Sequence, residues 1–158
     1  MSFLVIFLAI IVVLFVVAFV TKRRFGVLGL ALATGAFIST LWVGDLTPII
    51  AQTGVVLVKP PLESVVGAAL ILLPATVLLL SGPTYRSGKQ RFIGAALFAI
   101  LATVLLLEPL GSALVINGVG KPVYEFLQSR HVAIITVCLV IAVLDLLTTK
   151  TPKLPARH

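Results

Sequence analysis

Residues 3–25 read FLVIFLAIIVVLFVVAFVTKRRF. The first eighteen, Phe3 to Val20, are drawn only from Phe, Leu, Val, Ile and Ala. At 1.5 Å per residue they form a helix about 27 Å long, close to the hydrocarbon thickness of a bilayer. The basic cluster Lys22–Arg23–Arg24 follows at once. A cleaved signal peptide carries positive charge before a shorter apolar core, with small residues at the cleavage site. Here the charge comes after the core, and Met1–Ser2 has no side-chain charge. The segment reads as a retained anchor with its N-terminus outside.

The same alternation repeats along the chain. Nine of the twelve Lys and Arg residues fall into three clusters: Lys22, Arg23 and Arg24; Arg86, Lys89 and Arg91; Lys150, Lys153 and Arg157. The apolar runs between them predict spans at 3–20, 26–44, 64–80, 92–107 and 132–147. Backbone inside lipid must satisfy its own hydrogen bonds, so the fold class is all-α, a multi-pass helical bundle. Five spans put all three clusters on one side, which the positive-inside tendency makes the cytoplasm. The expected topology in a bacterial-type cell membrane has the N-terminus outside and the C-terminus inside. Residues 1–149 form one transmembrane domain, and the Pro- and Lys-containing 150–158 form a disordered tail.

Composition agrees. The chain is 60% hydrophobic and 11% charged, with mean hydropathy +1.24, too little polar surface to cover a soluble domain. The net charge of +7 does not lie along one folded face, which argues against nucleic acid. The outer segments carry Lys59, Lys121 and Arg130 against Asp45, Glu63, Glu108 and Glu125, three cations to four acids. One cysteine, Cys138, permits no internal disulfide or thiolate metal site and reads as a core residue.

The outer segments are the least ordinary part. Leu46 to Val58 and Leu110 to Val119 are apolar but too short to span. Thr47–Pro48 reads as an N-cap and first helical residue, and Asn117–Gly118 as a turn. Two arrangements fit: interfacial helices with Tyr124 and Phe126 at headgroup depth, or re-entrant half-helices lining a polar path. Their charged residues, Asp45, Lys59, Glu63, Glu108, Lys121 and Glu125, are the candidate pore or outer-segment positions. An internal repeat is also legible. Arg24–Phe25 and Arg91–Phe92 open spans two and four, Asp45 and Glu108 close them, and Lys59–Pro60–Pro61–Leu62–Glu63 matches Lys121–Pro122–Val123–Tyr124–Glu125. Parallel two-hairpin repeats or chance in a residue-poor sequence both account for it.

Small residues at helical spacing mark candidate packing faces: Gly29 with Ala33 and Ala31 with Gly35 and Ser39, then Gly94, Ala95, Ala99 and Thr103. Pro74 is expected to kink the third span. Asp45 and Asp145 resemble the acids of intramembrane aspartyl proteases in type, but this topology separates them by most of a bilayer, whereas such a dyad shares a proton at about 3 Å. Asp145 lies five residues from Lys150, so it is expected to reach the inner boundary and a basic partner there. His131 and His158 fit no metal-ligand spacing, and no nucleophile or phosphate-loop motif is present. Neither a cofactor nor a catalytic residue is expected.

The run Lys22–Arg23–Arg24–Phe25–Gly26 followed by Gly29, with the later Arg91–Phe92–Ile93–Gly94–Ala95, resembles the colicin V production protein family of small bacterial membrane proteins, over about the first two-thirds of the chain. The fifth span and the paired Lys-Pro-x-x-Glu segments depart from it. The resemblance implies an accessory role in export or envelope function with no defined catalytic site. The expected function is a non-enzymatic accessory or scaffold subunit acting through a homo-oligomer or larger membrane complex. The alternative is a small channel or transporter with a path between the two hairpins.

Overall fold

A computed structural model describes residues 3–54, 60–85, 87–113 and 120–148. They form six helices: α1 (Phe3–Thr21), α2 (Phe25–Gln52), α3 (Leu62–Ser81), α4 (Gly88–Leu105), α5 (Leu107–Ala113) and α6 (Gly120–Leu147). The Lys59, Arg86, Leu110–Val119 turn and 150–158 tail expectations fall wholly or partly outside the described residues. Among the described residues the only extended pairing is one antiparallel bridge, Arg23 to Thr84.

Helix α2 lies at the centre, packed along α3 and against α4 and α6, while α1 lies on α4 and the short α5 lies on α3. The core gathers Phe25, Leu28 and Leu32 of α2, Ile71, Ala75 and Leu79 of α3, Phe98, Leu101 and Ala102 of α4, and Cys138 and Ala142 of α6. A smaller cluster of Phe7, Val104 and Leu107 closes the opposite end. The outer surface is apolar too. Leu8 and Val12 of α1, Phe37 and Leu41 of α2, Leu73 and Val77 of α3, and Val137 and Val140 of α6 are all exposed. A bundle apolar on both its inside and its outside suits a bilayer.

Two helices run well past the apolar runs that announce them. Helix α2 continues through Asp45 and Pro48 to Gln52, where Thr53 and Gly54 (φ +87°) end it. The helix thus runs past the predicted span 26–44. Asp45 and Gly44 are exposed, and Thr47 donates to the Val43 carbonyl at 2.6 Å. An acid and a proline do not end this helix. Thr47 is therefore an interior residue and not an N-cap. Helix α6 starts at Gly120, ahead of the predicted span 132–147. Pro122 is tolerated in the first turn, and Lys121 pairs with Glu125 one turn on at 3.8 Å. Each helix has 28 residues, or about 42 Å, against 20 in α3 and 18 in α4.

The seam between α2 and α3 is made by small residues. Gly35 meets the Leu70 and Ile71 carbonyls so closely that a Cβ would lie 2.8 and 2.3 Å from them. Pro74 lies within α3, and its missing N–H deprives the Leu70 carbonyl of its helical donor. One turn further, the Ser39 hydroxyl donates to the Gly67 carbonyl at 3.4 Å.

Candidate functional site

The charged residues collect at the two ends of the bundle, and only one end is tightly built. At the basic end α1, α3 and α6 finish while α2 and α4 begin. Lys22 adopts φ +56°, a left-handed turn after α1 that few non-glycine residues take. It sends the chain back so that Arg24 donates its amide to the Pro83 carbonyl at 2.9 Å and Tyr85 donates to the Lys22 carbonyl at 2.8 Å.

Three arginines then reach the C-terminal carbonyls of three different helices. Arg23 donates Nε to Leu79 at 2.9 Å and its terminal nitrogens to Leu80 and Gly82, at the end of α3. Arg91 donates to Phe19 near the end of α1, with its guanidinium 3.9 Å from the Phe19 ring centroid. Arg24 donates Nη2 to the Asp145 carbonyl at 3.1 Å and to its carboxylate at 3.3 Å, near the end of α6. The last carbonyls of a helix lack intrahelical donors and carry the negative end of its dipole. A guanidinium answers both needs.

Asp145 completes the arrangement from the other direction. Its second carboxylate oxygen accepts the Gly26 amide at 3.0 Å, in the first turn of α2. The Tyr85 hydroxyl accepts the neighbouring Phe25 amide at 3.1 Å. Arg24 lies 5.5 Å above the Tyr85 ring, and that ring fills the space beside Gly94, where a Cβ would come within 2.6 Å. Burial pushes the Tyr85 phenol above its ordinary value, and the Asp145 carboxylate adds to this against the Phe25 amide and Arg24. The Arg24 and Asp145 side chains retain 17% and 18% exposure, so the pair is shielded but not sealed.

The predicted topology residues thus divide. Arg23, Arg24 and Arg91 hold helix ends, while Lys22 and Lys89 are exposed. Among the packing candidates, Gly29 is buried against Ala142 of α6, Gly35 against α3, Gly94 against Tyr85, and Ala99 in the core. Ala33 is half-buried.

The outer-segment candidates do not converge. Asp45 and Glu63 are exposed on α2 and α3, and Lys121 and Glu125 form their exposed pair on α6. Glu108 of α5 lines a cavity of about 220 Å³ between the tops of α4 and α6. Its other walls are Val104, Leu105, Leu107, Tyr124, Gln128, His131 and Ile135. Tyr124, Gln128, His131 and Ile135 recur every three or four residues, one face of α6. That spacing was readable, but only within a helix beginning near Gly120. Among the described residues no three His, Cys, Asp or Glu side chains converge as metal ligands. No family model, curated protein or solved structure matches this chain.

Proposed function

We propose that this chain is a non-enzymatic membrane accessory or scaffold subunit, its basic end at the cytoplasmic face and its N-terminus outside, in a bacterial-type cell membrane. The observation that carries the reading is the position of α6. Only 11% of its most apolar window is buried, against 39%, 33% and 44% in α2, α3 and α4. Thr136, Leu139, Val140, Val143 and Leu144 of that helix border an open apolar groove. A 28-residue helix tied down at its basic end and free along its flank can receive another transmembrane helix, from a second copy or a larger complex. In lipid such docking rests on close packing. An export or envelope role, as in the colicin V production proteins that the basic turn resembles, belongs to this proposal.

Photo-crosslinkers at Val140 and Val143 in native membranes test it. Cross-links to a second copy or to one recurrent membrane protein support the reading. Adducts to lipid alone, together with a monomer in mild detergent, refute it. The cavity beside Glu108 favours a second reading, a small channel or transporter. Solute or ion flux in proteoliposomes, reduced by Glu108→Gln and Asp45→Asn, is its signature, and absence of flux excludes it.

A further inference from the structure

The three arginines of the basic end are not equally engaged. Arg23 commits Nε and both terminal nitrogens to carbonyls at the end of α3, and Arg24 is held by Asp145. Arg91 uses only Nε, on the Phe19 carbonyl, and its two terminal nitrogens meet no acceptor among the described residues. Braced by that bond and by the Phe19 ring 3.9 Å away, the guanidinium keeps a fixed fork, the shape that takes two oxygens of a phosphate. Lys22 and Lys89 belong to the same corner. Lys22 follows the end of α1 and Lys89 lies in the first turn of α4, the two helix ends that Arg91 joins. Both lysines are exposed. Among the described residues neither they nor Arg91 have an acidic partner, and Asp145, the acid at this end, is taken by Arg24 and Gly26. Helix α4 starts with no acid in its first turn and no side-chain cap from Ser87, so its dipole adds to the positive charge of the three side chains.

Next to this corner the surface turns apolar. Phe15, Phe19 and Phe92 form a ring cluster across the α1–α4 seam, with centroids 5.4, 5.8 and 6.5 Å apart. Phe92 and Ile93 are exposed and share a face of α4 with Lys89, three and four residues earlier. Phe19 and Phe15 lie about 3 and 9 Å along α1 from its last residue, and Phe92 about 6 Å along α4 from its first. Charge therefore sits at the helix ends and apolar surface begins within about one turn of it, the order of a phospholipid from head to chain. We propose that this corner binds the phosphodiester of an anionic phospholipid, with Arg91, Lys22 and Lys89 on the head and an acyl chain on Phe92 and Ile93. The unbroken run from cations to lipid-facing rings selects a lipid over a free phosphate. The inference rests on the bilayer placement proposed above but not on the scaffold role.

The test titrates the full chain in mild non-ionic detergent with phosphatidylglycerol and, separately, with phosphatidylcholine, both followed by native mass spectrometry. Saturable binding of phosphatidylglycerol is expected, at least tenfold tighter than that of the zwitterionic lipid. The double variant Lys22→Gln/Lys89→Gln, which alters exposed side chains only, is expected to lower that preference at least fivefold. Arg91→Lys keeps the charge but loses the fork, and is expected to lower it at least threefold. Arg130→Gln removes an exposed cation about 22 Å along α6 from Asp145 and is expected to bind as the parent does. Soluble glycerol phosphate separates the sources: failure to displace the lipid supports the proposal, and displacement at equal concentration assigns the corner to a free phosphate and overturns it. Equal binding of the two lipids, or an unchanged preference in the double variant or in Arg91→Lys, also overturns it. None of these outcomes bears on cross-linking at Val140, so the two readings fail separately.

Discussion

Gly35 lies against the Leu70 carbonyl, the acceptor that Pro74 leaves without its helical N–H partner. The two irregularities are complementary. A proline opens the hydrogen-bond ladder of α3 where α2 has no side chain to keep the backbones apart. Such close approach favours weak Cα–H to carbonyl contacts, each worth about 0.5–1 kcal/mol.

Gly35→Ala is expected to separate α2 from α3, because its Cβ would lie 2.3 Å from the Ile71 oxygen. Overpacking of this kind costs about 1–3 kcal/mol. Gly44→Ala, with nothing within 4 Å, is expected to be neutral or stabilising by about 0.5–1 kcal/mol, as for glycine in a helix interior. Unfolding in mixed micelles, followed by far-UV circular dichroism, compares the two.

Removing one member of the Arg24–Asp145 pair leaves the other shielded and without its opposite charge. Breaking a fully buried pair costs about 3–5 kcal/mol, and the remaining exposure of 17% and 18% places this one toward or below the lower end. Asp145→Asn is expected to cost less than Asp145→Ala, since its amide oxygen still accepts from Gly26. A double-mutant cycle with Arg24→Met measures the coupling.

The Tyr85 phenol is raised above its ordinary value of 10.0 by burial, so the folded state holds the neutral form more tightly than the unfolded state does. The associated stability is complete below the unfolded pKa and is lost as pH rises through the higher folded value. Thermal midpoints measured from pH 8 to 11.5 are expected to decline at the alkaline end. Tyr85→Phe is expected to lessen that decline while lowering stability at neutral pH, because the Phe25 amide loses its acceptor.

The extended ends of α2 and α6 give a topology test. Single cysteines at Asp45, Ile49 and Gln52, and at Gln128, in a Cys138→Ala background, are expected to react with a membrane-impermeant maleimide added outside. Cysteines at Val77 and Val140 are expected to resist it. Labelling of the first group only from the cytoplasmic side would reverse the orientation proposed here.

Hydropathy located the apolar segments, and the two 28-residue helices show why these do not mark where helices end. The stretches 45–52 and 120–131 are helical but amphiphilic, so an apolar window closes before them. The arginine clamps were half legible. Clustering near Lys22 and Arg91 identified the end of the bundle. The partners of Arg23 lie 56 to 59 residues away and those of Arg24 121 residues away, beyond any local pattern. Asp145 was placed at the boundary with a basic neighbour, and the structure supplies Arg24 as that neighbour. The cavity was not legible, because α4, α5 and α6 must be packed before Glu108 and His131 share a wall.

The bond from Arg24 to Asp145 also carries a temporal meaning. Arg24 precedes Asp145 by 121 residues, so in the order of synthesis the cation waits for its carboxylate until α6 has been made. Until then the start of α2 has only its contacts with Pro83 and Tyr85, and no carboxylate answers the Arg24 charge. A chain cut before α6 therefore keeps a guanidinium at the basic end of the bundle without its carboxylate, a local defect that a quality-control protease can recognise.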